Sequence, residues 1–130
     1  MRMTLRALAV LVLLMASDTE AGPGGCGKSD SLTPYAFEQI TVSTTAIGFT
    51  QATVFPSGDE PGIMAVLTVE TADVRYRVDG LDPTAAVGDR VSASGTLTVC
   101  GVPSLRKLKF IREDAADATL SVTYYREGDE

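Results

Sequence analysis

The sequence has no histidine, no tryptophan and no asparagine, and only two cysteines. Without histidine, catalytic triads, general bases and metal sites built on imidazole are excluded. Without asparagine, N-linked glycosylation is excluded as well. Aromatic residues make up only 6% of the chain, and no stretch has the sustained apolar periodicity of a long helix. No apolar run reaches the roughly 20 residues that a membrane-spanning helix needs, so no permanent transmembrane segment is expected. Positive charge is also scarce. Eleven Lys and Arg face seventeen Asp and Glu, a net charge of -6 over 130 residues, which favours solubility and disfavours general nucleic-acid binding.

At the N-terminus, Arg2 and Arg6 accompany an apolar run from Leu5 to Ala16, and polar residues continue from there to Ala21. This layout is that of a secretory signal peptide over residues 1–21; the competing reading is a buried N-terminal helix. Cleavage after Ala21 leaves a chain of single-domain length with an extracytoplasmic destination, secreted or periplasmic. In an oxidising compartment Cys26 and Cys100 are expected to form one disulfide. Closing a loop of that length stabilises a fold by about 4–5 kcal/mol on the chain-entropy model. The segment around Cys26, Gly-Cys-Gly-Lys-Ser-Asp, also resembles the start of a bacterial lipoprotein, in which Cys26 would carry the lipid anchor. Against that, Pro23 stands where the lipoprotein motif has leucine, and the apolar run already ends at Ala16.

Two motifs match catalytic or nucleotide-binding patterns in letters but not in context. Gly22 to Ser29 fits the phosphate-loop pattern G-x-x-x-x-G-K-S. That loop works when a strand runs into it and a helix leaves it, so that backbone amides and the helix N-terminus face the phosphates. Here Pro34 interrupts the segment after the loop, and the rest of the chain has no alternation of strands and helices. Ser104 to Lys107 has the S-x-x-K spacing of β-lactam-binding enzymes without their S-D-N or K-T-G partners. The carboxylates Glu38, Asp59, Glu60, Glu70, Asp73, Asp79, Asp82 and Asp89 are scattered, and no calcium-loop spacing occurs. No catalytic residue, metal ligand or cofactor is nominated, and enzyme activity is not expected.

Residues 22–37 read as a flexible lead-in and residues 38–130 as a single β domain. Pro34 to Gln39 offers at most one helical turn. Strands are expected near 40–55, 63–70, 74–79, 90–99, 105–112 and 118–125, where Thr, Val, Ile, Tyr and Phe are dense between turn clusters. From Val91 to Val99, apolar residues alternate with Ser and Thr, the pattern of a half-buried strand. Val74, Tyr76 and Val78 alternate with Arg75, Arg77 and Asp79, and the short link Thr71 to Asp73 predicts a hairpin with the preceding run Met64 to Glu70.

This order, with Val-Gly-Asp-Arg-Val opening and Ser-Gly-Thr-Leu closing the segment Val87 to Leu97, and a closing strand ending Leu108-Lys109-Phe110-Ile111, resembles the oligonucleotide/oligosaccharide-binding fold over residues 44–112. The resemblance implies a mostly β, small five- to six-stranded barrel. Leu120 to Tyr125 would be an extra strand, and only a few residues remain where that fold often has a helix. An immunoglobulin-like sandwich is the rival, although it would normally carry a core Trp. On the barrel reading, the hairpin with Arg75 and Arg77 lies on the ligand face and Cys100 to Leu105 forms a rim loop. Arg75, Arg77, Arg106, Lys107 and Lys109 are therefore the candidate ligand-binding residues, the competing reading being charged strand faces that protect a sheet edge. The expected function is a non-catalytic extracytoplasmic binding module for an anionic polymer or saccharide at the cell envelope. The alternative is an accessory envelope lipoprotein that binds a protein partner.

Overall fold

The computed structural model describes residues 31–128, so the expected signal peptide, the Gly22 to Ser29 loop and Cys26 lie outside the described residues. The strands are β1 (Leu32–Val42), β2 (Ile47–Gly48), β3 (Met64–Glu70), β4 (Val74–Arg77), β5 (Asp89–Val91), β6 (Thr96–Cys100), β7 (Lys109–Arg112) and β8 (Ala118–Glu127). Two short helices, α1 (Gln51–Val54) and α2 (Val102–Lys107), fill connections. The strands form two four-stranded sheets, ordered β1-β8-β3-β6 and β2-β7-β4-β5, and every pairing is antiparallel.

Both sheets have the same neighbour order once strands are grouped by chain continuity. Residues 32–48, 64–77, 89–100 and 109–127 each supply one strand to the first sheet and one to the second. The fold is thus one four-ribbon antiparallel sheet bent sharply across its middle, with strands switching sheets at a corner. The apolar alternation explains why it folds over on itself. Along β8, Ala118, Leu120, Val122 and Tyr124 are buried and the residues between them are only half-buried. Their cross-strand partners Val69, Leu67 and Ala65 on β3 are buried on the same side. The second sheet brings Val74 and Phe110 to the same core. The Phe49 ring meets Phe110 edge-on at 5.7 Å and Tyr124 at 5.5 Å, joining the two layers.

At the corner the four ribbons remain bonded to one another. The Arg112 amide donates to Ser43, the Glu113 amide to Asp73 and the Ser94 amide to Val69, at 3.1, 3.1 and 2.7 Å. Thr71 and Ser94 bend there with φ of 73° and 69°, left-handed values that cost energy in a residue with a side chain. Next to Ser94, a Cβ on Gly95 would stand 2.7 Å from the Ser92 carbonyl oxygen, so only glycine fits.

Charged groups brace the same corner. Glu113 accepts from Arg75 Nη2 at 3.0 Å, and Arg90 Nε stands 2.7 Å from its other oxygen. Asp73 pairs with Arg90 and accepts the Ala93 amide at 2.7 Å. Arg112 reaches Asp117 at 2.6 Å. These contacts link three of the ribbons where their backbones turn.

Several expectations are corrected by this architecture. Pro34 to Gln39 is not a helical turn but part of β1, held extended by pairing with β8, and β1 begins at Leu32, inside the stretch read as lead-in. β3 and β4 are not a hairpin: β3 pairs with β6 and β8, while β4 pairs with β5 and β7, because Thr71 carries the ribbon around the corner. The alternation over 91–99 spans that corner too, and is split into β5 and β6 by the Ser92–Gly95 turn. Residues 51–54 and 105–107 are helical where strands were expected, α2 beginning at Val102 inside the expected rim loop. The domain is mostly β as expected; where a five- to six-stranded barrel was expected, the described strands form two four-stranded antiparallel sheets with no closed barrel.

The corner should titrate. The Ala93 amide, followed by Arg90, holds the Asp73 carboxyl below the usual carboxylate range. Such a group contributes stability that is complete above its unfolded pKa, about 3.9, and is lost as pH falls through the lower folded value. Thermal unfolding followed between pH 6 and pH 2 should therefore show a loss beginning near pH 4, and Asp73→Asn should flatten that slope.

Candidate functional site

The stretch between β4 and β5, residues 78–88, carries three exposed aliphatic side chains: Val78, Leu81 and Val87, at 46%, 59% and 51% exposure. Only five large apolar side chains are exposed among the described residues, so three on one loop is a concentration rather than scatter. Beside them lies an open depression of about 420 Å³, lined by Arg77, Val78, Asp79, Val87, Gly88 and Asp89.

This loop is held in shape by its own bonds. Pro83 is fully buried and anchors its middle. The Thr84 and Val87 backbones exchange hydrogen bonds of 2.9 and 3.2 Å, and the Thr84 hydroxyl accepts the Val87 amide at 2.9 Å. Asp79 accepts the Leu81 amide at 3.2 Å, an Asx-type turn. Gly88 has φ of 138°, and a Cβ there would stand 2.9 Å from the Tyr76 carbonyl oxygen, so the chain can return to β5 only through glycine.

Arg75 clamps the loop to the corner. Its Nε donates to the Ala85 carbonyl at 3.0 Å, Nη1 to the Gly88 carbonyl at 2.9 Å and Nη2 to Glu113 at 3.0 Å. All three nitrogens of one guanidinium are therefore committed to the fold. Arg77 forms a forked pair with Asp79, which raises the Arg77 pKa and lowers that of Asp79, the hydrogen bond being the main cause in each. Lys109, opposite Arg77 in the register, reaches Asp82 at 2.8 Å. Asp89 has no ion-pair partner among the described residues; burial and then this carboxylate push the Tyr76 phenol up.

Arg106 and Lys107 lie on α2, not on a strand, so Lys107 and Lys109 do not share a strand face as expected. The Arg106 guanidinium stands 4.4 Å from the centroid of the Phe55 ring. The Lys107 stem lies close to Gly80, 3.8 Å from where a Cβ there would be. Neither makes an ion pair among the described residues. The five candidate cations thus divide: Arg77, Lys107 and Lys109 border the loop, Arg75 supports it from below, and Arg106 packs on an aromatic ring. Sequence reading missed Val78, Leu81 and Val87 as a group; the available signal was three aliphatic residues in a stretch otherwise rich in Asp, Gly and Pro.

Among the described residues no cluster of three or more carboxylate or thiol side chains is placed to hold a metal ion, and no helix is long and apolar enough to cross a membrane. Neither a family model nor a curated protein matches the chain.

The two arginines of β4 should behave differently on truncation. Arg75→Ala leaves two backbone carbonyls without their donor and removes one of the two guanidinium partners of Glu113, and should cost about 2 kcal/mol, or roughly 10 °C in melting temperature for a domain of this size. Arg77→Ala removes only an exposed pair and should leave the melting temperature essentially unchanged. Calorimetry on both variants checks the contrast.

Proposed function

We propose that this protein is a non-catalytic extracytoplasmic interaction module, on a frame akin to the oligonucleotide/oligosaccharide-binding fold, that docks a protein partner through the loop between β4 and β5. The observation that carries this reading is the ordered display of Val78, Leu81 and Val87 beside an open depression. A loop already fixed by Pro83, Thr84 and Arg75 would lose little conformational freedom on binding. Neutralisation of Arg77 by Asp79 and of Lys109 by Asp82 favours a partner over a polyanion at this place. The frame is supported by the four bent ribbons that wrap one core. The destination rests on the charged start and short apolar run of residues 1–21.

The test is a photo-crosslinking amino acid at position 81 in the exported protein, with position 53 as control. A single discrete adduct at 81, absent at 53 and lost with Val78→Ser and Val87→Ser, is the expected result. Equal labelling at both positions would remove the loop from consideration. An anionic ligand is the second reading, because Arg106 and Lys107 have no carboxylate partner among the described residues. Heparin binding abolished by Arg106→Ala with Lys107→Ala, and unaffected by the loop variants, would decide for it.

The Cys26 to Cys100 disulfide belongs to the same proposal. Cys100 ends edge strand β6 and lies in one cross-strand row with Met64, Tyr125 and Pro34 on the opposite edge. That row is about 14 Å wide at the usual strand spacing, and the segment from Cys26 to Pro34 can reach roughly 26 Å. Alkylation of the exported protein without reductant should find no free thiol, and a lipid mass on Cys26 would replace this bond with an anchor.

A further inference from the structure

The outer face of the first sheet is chemically unlike the rest of the surface. Residues directly opposite one another share a face, so beside the row of Pro34, Tyr125, Met64 and Cys100 the register gives three successive rows: Phe37-Thr123-Val66-Thr98, Gln39-Ser121-Thr68-Thr96 and Thr41-Thr119-Glu70. In a chain whose residues are 22% charged, these rows contain no Lys or Arg, and Glu70, at one end, is their single acid. Hydroxyl residues occupy seven of the positions, so hydroxyls recur about 4.8 Å apart across strands and roughly 7 Å apart along them.

All but one of these hydroxyls are unused by the fold among the described residues. Ser121 accepts from Gln39 at 3.4 Å, but the side chains of Thr68, Thr96, Thr98, Thr119 and Thr123 make no hydrogen bond among the described residues. Each can both donate and accept. Phe37, 62% exposed, stands at the edge of the same lattice, directly opposite Thr123.

We infer that this face is a binding site for a neutral glycan chain, distinct from the loop between β4 and β5. The ligand it suits carries many hydroxyls and no charge, and presents flat apolar C–H faces. Its hydroxyls would exchange hydrogen bonds with the Thr and Ser lattice, and one sugar ring would lie against Phe37. A polyanion finds no cation here, and an apolar partner would leave the hydroxyls desolvated without partners, at a cost for each. The uncharged, hydroxyl-bearing surface therefore selects an uncharged, hydroxyl-bearing ligand. The inference is independent of the loop reading, because the two sites share no residue.

The experiment is an NMR titration of the full exported chain with cellohexaose, the hexamer of N-acetylglucosamine, and maltohexaose, with a heparin hexasaccharide as the charged comparison. At least one neutral hexasaccharide should shift the resonances of Val66, Thr68, Thr98 and Thr123 and leave residues 77–89 unmoved. Thr68→Val with Thr98→Val keeps shape and strand preference, so it should fold normally by thermal melting and weaken binding about tenfold, the scale of one or two lost hydrogen bonds. Phe37→Ala should weaken it as well. The inference fails if no neutral hexasaccharide perturbs the face, if heparin binds there equally well, or if the double variant binds unchanged. It fails too if sedimentation reveals a dimer that Thr98→Lys dissociates, since a second copy would then occupy the face. None of these results bears on crosslinking at position 81.

Discussion

The fold depends on the guanidinium of Arg75. A sheet bent across its middle must keep its ribbons registered at the bend, where regular ladder bonding is weakest. Arg75 meets that need from β4 by holding Glu113, just beyond the end of β7, and by tying the Ala85 and Gly88 carbonyls of the next connection to the same point. Arg90 then couples Glu113 to Asp73. Corner and loop are consequently one mechanical unit. The side chain that stabilises the bend also sets the posture of the surface that the loop exposes. Partly buried charge is costly unless its donors and acceptors are met, and here three nitrogens of Arg75 find three oxygens.

Among the described residues, positive charge is mostly structural. Arg75, Arg77, Arg90, Lys109 and Arg112 each meet a carboxylate, so the cation-rich strands of the sequence do not form a free cationic surface. Apolar and neutral polar groups distinguish the exposed surfaces instead: aliphatic residues on the loop between β4 and β5, hydroxyls on the outer face of the first sheet. Were both proposed sites used, the molecule would rest on one kind of material and present a loop to another.

Strand content was legible in the sequence because alternation is a local property. The buried series on β8 and the extended runs of β3 and β4 can be read from period two alone. Pairing was not legible. Thr71 to Asp73 has the length and polarity of a hairpin turn, yet it turns a corner, and only the cross-strand partners of β3 and β4 reveal the difference. Residues 100–105 read as a loop and 105–112 as a strand, but the positive φ of Gly101 and a proline in the first turn start a short helix that runs to Lys107. The cations were found in sequence and their partners were not, because Glu113 is distant in the chain from both Arg75 and Arg90. The loop aliphatics went unread for the opposite reason: a stretch rich in Asp, Gly and Pro looks like a plain connection, and their exposure is a tertiary fact.

The first and last strands are neighbours. Leu32 lies opposite Glu127, and the Gly128 amide donates to the Ser31 carbonyl at 2.5 Å, so the two ends of the described chain meet at one point of one sheet. A linker of a few residues would join them without disturbing a strand. The chain could then be reopened at the exposed turn Ser57–Gly58, which belongs to neither sheet. Order along the polypeptide is in that sense a convention for this fold: a permuted chain beginning at Gly58 would contain the same four ribbons in the same sheet order, with its ends moved to the side of the molecule where α1 turns back toward β3.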